Sequence, residues 1–241
     1  MDISIIVPVK NEEQSIAILA SEMDAVMEKT NFIWECIWVD DGSTDQTLTE
    51  LKDLHQSNPH HQYISLTQNF GQSAAMAAGF LNARGSILVT LDGDGQNDPS
   101  DIPPLVNRLI SDKADMVSGR RRRREDSVVR KISSRIANGF RNWMTKENVS
   151  DVGCSLRAIR KECVEKVPVF KGMHRFLPTL IRISGYHHIV EVAVNHRPRE
   201  RGKTKYGIQN RLWVGLVDTF AVRWMQNRMV FPKVKEDSRN R

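Results

Sequence analysis

From Ile3 to Ser118 short apolar runs alternate with stretches of helical periodicity, and that alternation leaves few folds open. The runs are ISIIVPV (3–9), WECIWV (34–39), YISL (63–66), ILVTL (87–91) and DMVS (115–118), the length of strands buried on both faces. Between them, residues 12–28 set Ile16, Leu19, Ala20, Met23 and Met27 on one helical face. Residues 45–55 and 73–83 also read as helices, with Asp45 near the start of the first. A further helix starts at Ser100 or Asp101 and accepts Pro103 in its first turn. The expectation is an α/β fold with a Rossmann-like, mostly parallel central sheet, right-handed crossovers and helices on both faces. Ligands of such sheets bind beyond the carboxyl ends of the strands. Here those ends read PVKNE, VDDGSTD, LDGDGQ and SGRR, all polar.

After Gly119 the pattern loosens. Residues 128–143 read as a helix, 151–160 as a loop and short strand, and 189–194 as a strand. Residues 207–229 form an amphipathic helix with Ile208, Leu212, Leu216, Phe220 and Trp224 at i+4 spacing. We expect one domain over 1–232, this helix included, and a disordered basic, polar tail over 233–241. No signal peptide and no membrane-spanning helix are expected, which fits a cytoplasmic chain. Three cysteines without metal-ligand spacing suit a reducing compartment, and the pairs His60-His61 and His187-His188 read as surface or packing residues.

Charge is split along the chain. Through Ser118 there are 6 Lys/Arg against 18 Asp/Glu; from Gly119 onward there are 29 against 11. The switch falls at GRRRRRED (119–126). A basic half suits phosphate, nucleic acid or an anionic membrane, while an acidic half argues against a surface devoted to a polyanion.

LDGDGQ is the sharpest motif. Asp92 and Asp94 follow a buried strand, and their i, i+2 spacing turns both carboxylates the same way. Two hard oxygens suit Mg²⁺ or Mn²⁺, completed by water and substrate phosphate. Gly93 and Gly95 would let a bulky ligand approach the backbone. The acceptors of VDDGSTD suit ribose hydroxyls or base N–H groups, or serve as turn and helix cap, and Glu12 belongs to the same crevice. Gly-x-Gly-x-x-Gly and Gly-Lys-Ser/Thr phosphate loops are absent, which argues against dinucleotide and P-loop sites.

IIVPVKNEE, VDDGSTDQT, NFGQSAAMAAGF, LDGDGQNDP, SDVGCSLRAIRKE and RERGKTKYG stand in the order found in family 2 glycosyltransferases. The chain resembles the subgroup of dolichyl-phosphate mannosyltransferase and bacterial polyprenyl-phosphate glycosyltransferases, from Ile3 to about Asp218. The resemblance implies a GT-A fold and inverting, metal-dependent transfer from a GDP- or UDP-sugar to a polyprenyl phosphate at the cytoplasmic membrane face. Pro8, Lys10, Glu12, Val39 and Asp41 would line the nucleoside pocket. Asp92, Gly93 and Asp94 would contact the donor, with Asp94 and Gln96, beside Asp92, on the metal. Arg121, Arg199 and Lys205 would meet the phosphates, and Arg130 and Ser134 the acceptor phosphate. Asp151 matches an acid sometimes assigned as a base. Because an acceptor phosphate is already anionic near pH 7, a positioning role is expected of it instead. Gln68 and Thr204 depart from the commoner arginine and serine.

Peripheral contact with an anionic membrane, or with a membrane-spanning partner, is expected. The 207–229 helix would either lie in the interface, with Trp213, Phe220 and Trp224 inserted and Arg211, Arg223 and Arg228 near headgroups, or pack onto the core. Arg122, Arg123 and Arg124 would face headgroups or water. Transfer to a non-lipid acceptor, nucleotidyl transfer and nucleic-acid binding by the arginine run are the competing readings. Scarce aromatics beside the run disfavour nucleic acid.

Overall fold

In the computed structural model the five apolar runs are strands, and two later strands complete one sheet. The structure describes residues 1–122, 138–198 and 208–231, with backbone alone for 208–213. The elements run β1 (Ile3–Val9), α1 (Ile16–Met27), β2 (Trp34–Asp40), α2 (Thr47–Ser57), β3 (His61–Ser65), α3 (Gln72–Asn82) and β4 (Ile87–Thr90). Then come α4 (Ile102–Ser111), β5 (Met116–Arg121), β6 (Arg157–Arg160), α5 (Leu177–Ile183), β7 (Ile189–Val194) and α6 (Ile208–Arg228). Residues 138–145 are also helical.

The strand order is β3-β2-β1-β4-β6-β5-β7. All neighbours are parallel except β6, which runs antiparallel between β4 and β5. Period-2 alternation sends successive side chains to opposite faces. Ile3, Ile5, Val7 and Val9 join a core with α1 and α4, while Ile6, Ile37 and Val39 join a second core with α3, α5 and Val222 of α6. Both faces are covered, so β2 is buried along its whole length.

The helical face expected of α1 is the one buried: Ile16, Leu19, Ala20, Met23 and Met27. The helix begins at Ile16 because residues 12–15 form a turn, with Ser15 N donating to Glu12 O. Pro8 does not end β1. It lies beyond the β4 pairing, which covers Ile3 to Ile6, so its missing N–H costs nothing to β4. Asp101 is the N-cap position of α4, as expected, though its side chain makes no cap hydrogen bond; Asp98 caps the short 3₁₀ turn Pro99–Asp101 that precedes it, accepting Ser100 N. Asp45 does sit at the entry to α2, accepting Thr47 N.

The histidine pair at 60–61 is structural. Trp38 Nε1 donates to His61 Nδ1 at 3.0 Å, and His61 Nε2 meets Asp24 Oδ1 at 3.0 Å. Burial lowers the His61 pKa, which leaves the ring neutral and its Nε2 proton on the Asp24 side.

One expectation changes, and one placement left open is narrowed. β5 extends through Arg120 and Arg121, because Gly119 to Arg121 pair with Val192 to Val194. Over the described side chains of α6, the stripe of Leu216, Phe220 and Trp224 faces solvent: Phe220 is 57% and Trp224 62% exposed, while Thr219 and Val222 turn inward. Residues 128–137 of the expected 128–143 helix and the 233–241 tail lie outside the described residues.

Candidate active site at the strand ends

The loops after the first three strands are stitched to one another. Asn11 takes a left-handed conformation (φ 49°), its N–H donates to Ser43 Oγ at 2.9 Å, and its side-chain oxygen accepts Thr44 N at 2.8 Å. Glu12 N donates to Thr47 Oγ1. Asp40 accepts Ser43 N and Ser65 Oγ. Asp41 accepts Phe70 N at 2.7 Å and Gly71 N at 2.9 Å, so its carboxylate organises the NFG loop. Only its remaining lone pairs are open to a nucleoside.

β4 delivers Asp92 to the same edge. Gln72, at the start of α3, donates to Asp92 Oδ1 at 2.7 Å. Asp92 N donates to the side chain of Asn97, whose oxygen also accepts Ser155 Oγ. Asp94 Oδ1 accepts Gln96 N at 3.1 Å, which folds the motif into a turn. Gly95 lies at φ 72°, a conformation that excludes most side chains. Gly93 is required for packing: a Cβ there would collide with the Val9 side chain.

Burial, then the charge of Asp94, push the Asp92 carboxyl up to about 6. Arg157 and Arg121 act in the opposite direction and bring positive charge to the same place. Two carboxylates that repel each other fit a divalent cation, which would relieve that repulsion. No group of three or more His, Cys, Asp or Glu is placed to hold a metal among the described residues. A cation at Asp92 and Asp94 would therefore take further oxygens from Gln96, water and substrate.

β5 delivers Arg121. Its Nε donates to Asp151 Oδ2 and its Nη2 to Asp151 Oδ1, both at 2.8 Å, and its backbone N–H reaches Oδ2 at 3.2 Å. This bidentate pair is largely buried. Asp151 comes from the loop before β6, and only an antiparallel β6 brings that loop to this edge.

Of the residues anticipated from the sequence, Pro8, Lys10, Glu12, Asp41, Asp92, Gly93, Asp94, Gln96, Arg121 and Asp151 gather at this one edge. Val39 does not present its side chain, which is fully buried in the core facing α3. Arg130, Ser134, Arg199 and Lys205 lie outside the described residues, as do Arg123 and Arg124 and the side chains of Arg211 and Trp213. The chain leading to 199 is nonetheless anchored here. Arg197 N donates to Gln96 O, Asn97 and His196 form a β-bridge, and the Arg197 guanidinium pairs with Glu22 and Asp98.

A family model described as glycosyl transferase family 2 matches residues 4–168. The chain belongs to glycosyltransferase family 2. Among similar family members is dodecaprenyl-phosphate galacturonate synthase of Rhizobium johnstonii, 38% identical over 96% of this chain and 69% of that protein. Another is undecaprenyl-phosphate 4-deoxy-4-formamido-L-arabinose transferase of Aeromonas hydrophila, 34% identical over 86% of this chain and 64% of that protein. The chain thus spans about two thirds of the length of these relatives. Glucosyl-3-phosphoglycerate synthase of Mycobacterium tuberculosis, solved with Mn²⁺, UDP and phosphoglyceric acid, superposes with a TM-score of 0.71 at 18% identity, over 95% of this chain and 80% of that one. That likeness establishes the GT-A type of fold for this family 2 glycosyltransferase.

Proposed function

We propose that this glycosyltransferase moves a sugar, with inversion, from a nucleotide-sugar donor to the phosphate of a polyprenyl phosphate. The observation that carries the reading is the meeting, at one sheet edge, of the Asp92/Asp94 pair with the Arg121–Asp151 pair. The two relatives described above are both named for sugar transfer onto a polyprenyl phosphate, which supports this acceptor.

In this reading Asp94, Asp92 and Gln96 would hold Mg²⁺ or Mn²⁺, which would supply charge stabilisation to the leaving diphosphate. Lys10, Glu12 and Asp41, with the backbone at Pro8 and Val39, surround the nucleoside. An oxygen of the acceptor phosphate attacks the anomeric carbon, the bond from that carbon to the diphosphate oxygen breaks, and the nucleoside diphosphate leaves with the electron pair. Arg121, with Arg199 and Lys205, stabilises the charge developing on the phosphates. Arg130 and Ser134 seat the acceptor phosphate. That phosphate has a second pKa of about 6, so it is already a nucleophile near pH 7. Asp151 is committed to three hydrogen bonds from Arg121, which supports a positioning role for it over general-base catalysis.

The lipid requires a surface to meet it. No described helix is long and apolar enough to cross a membrane. The exposed stripe of Leu216, Phe220 and Trp224 on α6 continues onto Trp143 through Phe140, whose ring meets Phe220 edge-on at 6.3 Å. We assign this aromatic face to an anionic bilayer, matched by the excess positive charge of residues 119–241.

The test is incubation with GDP- and UDP-sugars, Mg²⁺ or Mn²⁺, and a polyprenyl phosphate. Mass spectrometry should find the lipid heavier by one glycosyl unit and a nucleoside diphosphate released, both abolished by EDTA. Transfer only to a glycan or protein, or release of pyrophosphate, would reject the reading.

A further inference from the structure

Arg121 depends on Asp151 for its orientation, so the next question is what fixes Asp151. The cross-strand register answers it. Thr90 on β4 stands opposite Arg157 on β6, Arg157 opposite Ser118 on β5, and Ser118 opposite Glu191 on β7. Directly opposed residues share a face of the sheet, so a polar row crosses four strands just beneath the site. Its two charged members, Arg157 and Glu191, grip the same short segment from either side of Ser118.

Glu191 Oε1 accepts Ser150 N at 3.0 Å, Ser150 Oγ at 2.9 Å and Asp151 N at 3.3 Å. Its Oε2 accepts Ser150 Oγ at 2.8 Å. Arg157 Nη2 donates to Val152 O at 2.9 Å, while its Nη1 donates to His174 O at 2.8 Å. Three consecutive residues, 150 to 152, are therefore held by opposite charges from two strands. The middle one turns its carboxylate onto Arg121. The two grips differ in kind. Arg157 is 2% exposed and part of the core, so removing it threatens the fold. Glu191 is only partly buried, and its bonds to Ser150 are exposed to solvent, where each contributes little net stability. What those bonds fix is geometry.

We propose that Glu191 is a positioning residue for glycosyl transfer. It fixes the 150–152 segment, so that Asp151 holds the Arg121 guanidinium at the edge where phosphate charge develops. The proposal rests on the reading of Arg121 given above. Glu191 touches neither substrate; it acts through Ser150, Asp151 and Arg121 in turn. Nothing in the sequence marks it, because it lies 40 residues from Asp151 and follows two unremarkable aliphatic residues of a strand.

The test uses the full chain as wild type, Glu191→Ala and Glu191→Gln. Glutamine keeps an acceptor oxygen for the Ser150 and Asp151 N–H groups; alanine removes it. Steady-state transfer should show kcat for Glu191→Ala lower by about 10- to 100-fold, the cost of a reactive group displaced by about an ångström. The KM for each substrate should stay near wild type, the melting temperature should move by less than about 3 °C, and Glu191→Gln should recover most of the rate. A second readout needs no turnover. In ¹⁵N spectra of arginine side chains, the Nε–H of Arg121, assigned with Arg121→Lys, should give a resolved signal in wild type and Glu191→Gln and lose it in Glu191→Ala. Retention of that signal in Glu191→Ala, a Glu191→Gln rate as low as that of alanine, or an unchanged kcat would overturn the proposal. If wild type transfers to no lipid phosphate, the functional reading fails, and the Arg121 signal still decides the role of Glu191.

Discussion

Asp92 carries a charge that the metal-free protein disfavours. Its carboxyl is raised from 3.8 to about 6, so the folded state binds a proton more readily than the unfolded chain. The sign follows directly: this group's favourable contribution is complete below pH about 4 and is lost as the pH rises through about 6. At pH 7 its ionisation costs about 3 kcal/mol. Asp92→Asn should therefore raise the melting temperature of EDTA-treated protein at pH 7 while sharply lowering transfer, read by calorimetry and by product formation. Arg121 shows the converse. Arg121→Ala strands a buried Asp151 carboxylate and should cost about 3 kcal/mol. Adding Asp151→Ala should recover part of that stability but none of the activity, a non-additivity visible in a double-mutant cycle. Sequence reading singled out Asp92, Asp94, Arg121 and Asp151, which the structure brings to one edge, because each follows a strand or lies in a short recognisable motif. It could not tell that the Val39 side chain is buried, which leaves only its backbone at the edge, since adjacency to a motif says nothing of burial. It missed the roles of Gln72, Asn97, Arg157 and Glu191, which arise from side chains meeting across strands and loops far apart in the chain.

Among the elements, α6 separates pattern from packing. The i+4 spacing of Leu216, Phe220 and Trp224 identified an apolar stripe correctly, but periodicity cannot say which face meets the core. The inward face is instead made by Thr219, Val222 and the partly buried Met225. Phe220→Ser with Trp224→Ser should weaken binding to anionic vesicles by at least about tenfold, with little change in melting temperature, because both rings are already in water. Val222→Asp should do the opposite: it places a charge in the core and should unfold the chain or lower its stability by several kcal/mol, roughly. Flotation and thermal denaturation separate the two outcomes. The first five strands were legible from their apolar runs. The extension of β5 into the arginine run was not, because the ladder that holds it is supplied by β7.

At the scale of the whole molecule, the charge split bears on the proposed contact with an anionic membrane. An acidic N-terminal half carries the loops after β1, β2 and β4, and a basic C-terminal half carries the exposed aromatic face. Vesicle binding should therefore rise with anionic lipid content and fall at 1 M salt, where the screening length is about 3 Å. Co-sedimentation across that range measures it, and binding indifferent to both variables would remove charge from the account. The place of β5 between β6 and β7 carries a different consequence, one about time. As the chain leaves the ribosome, the first four strands can pair with one another as they emerge. β5 cannot, because its neighbours in the sheet are β6 and β7, both made later. Arg121 is thus synthesised long before any strand can hold it. The acidic half of the candidate site is assembled first, and the cationic half closes onto it only when the final strand arrives.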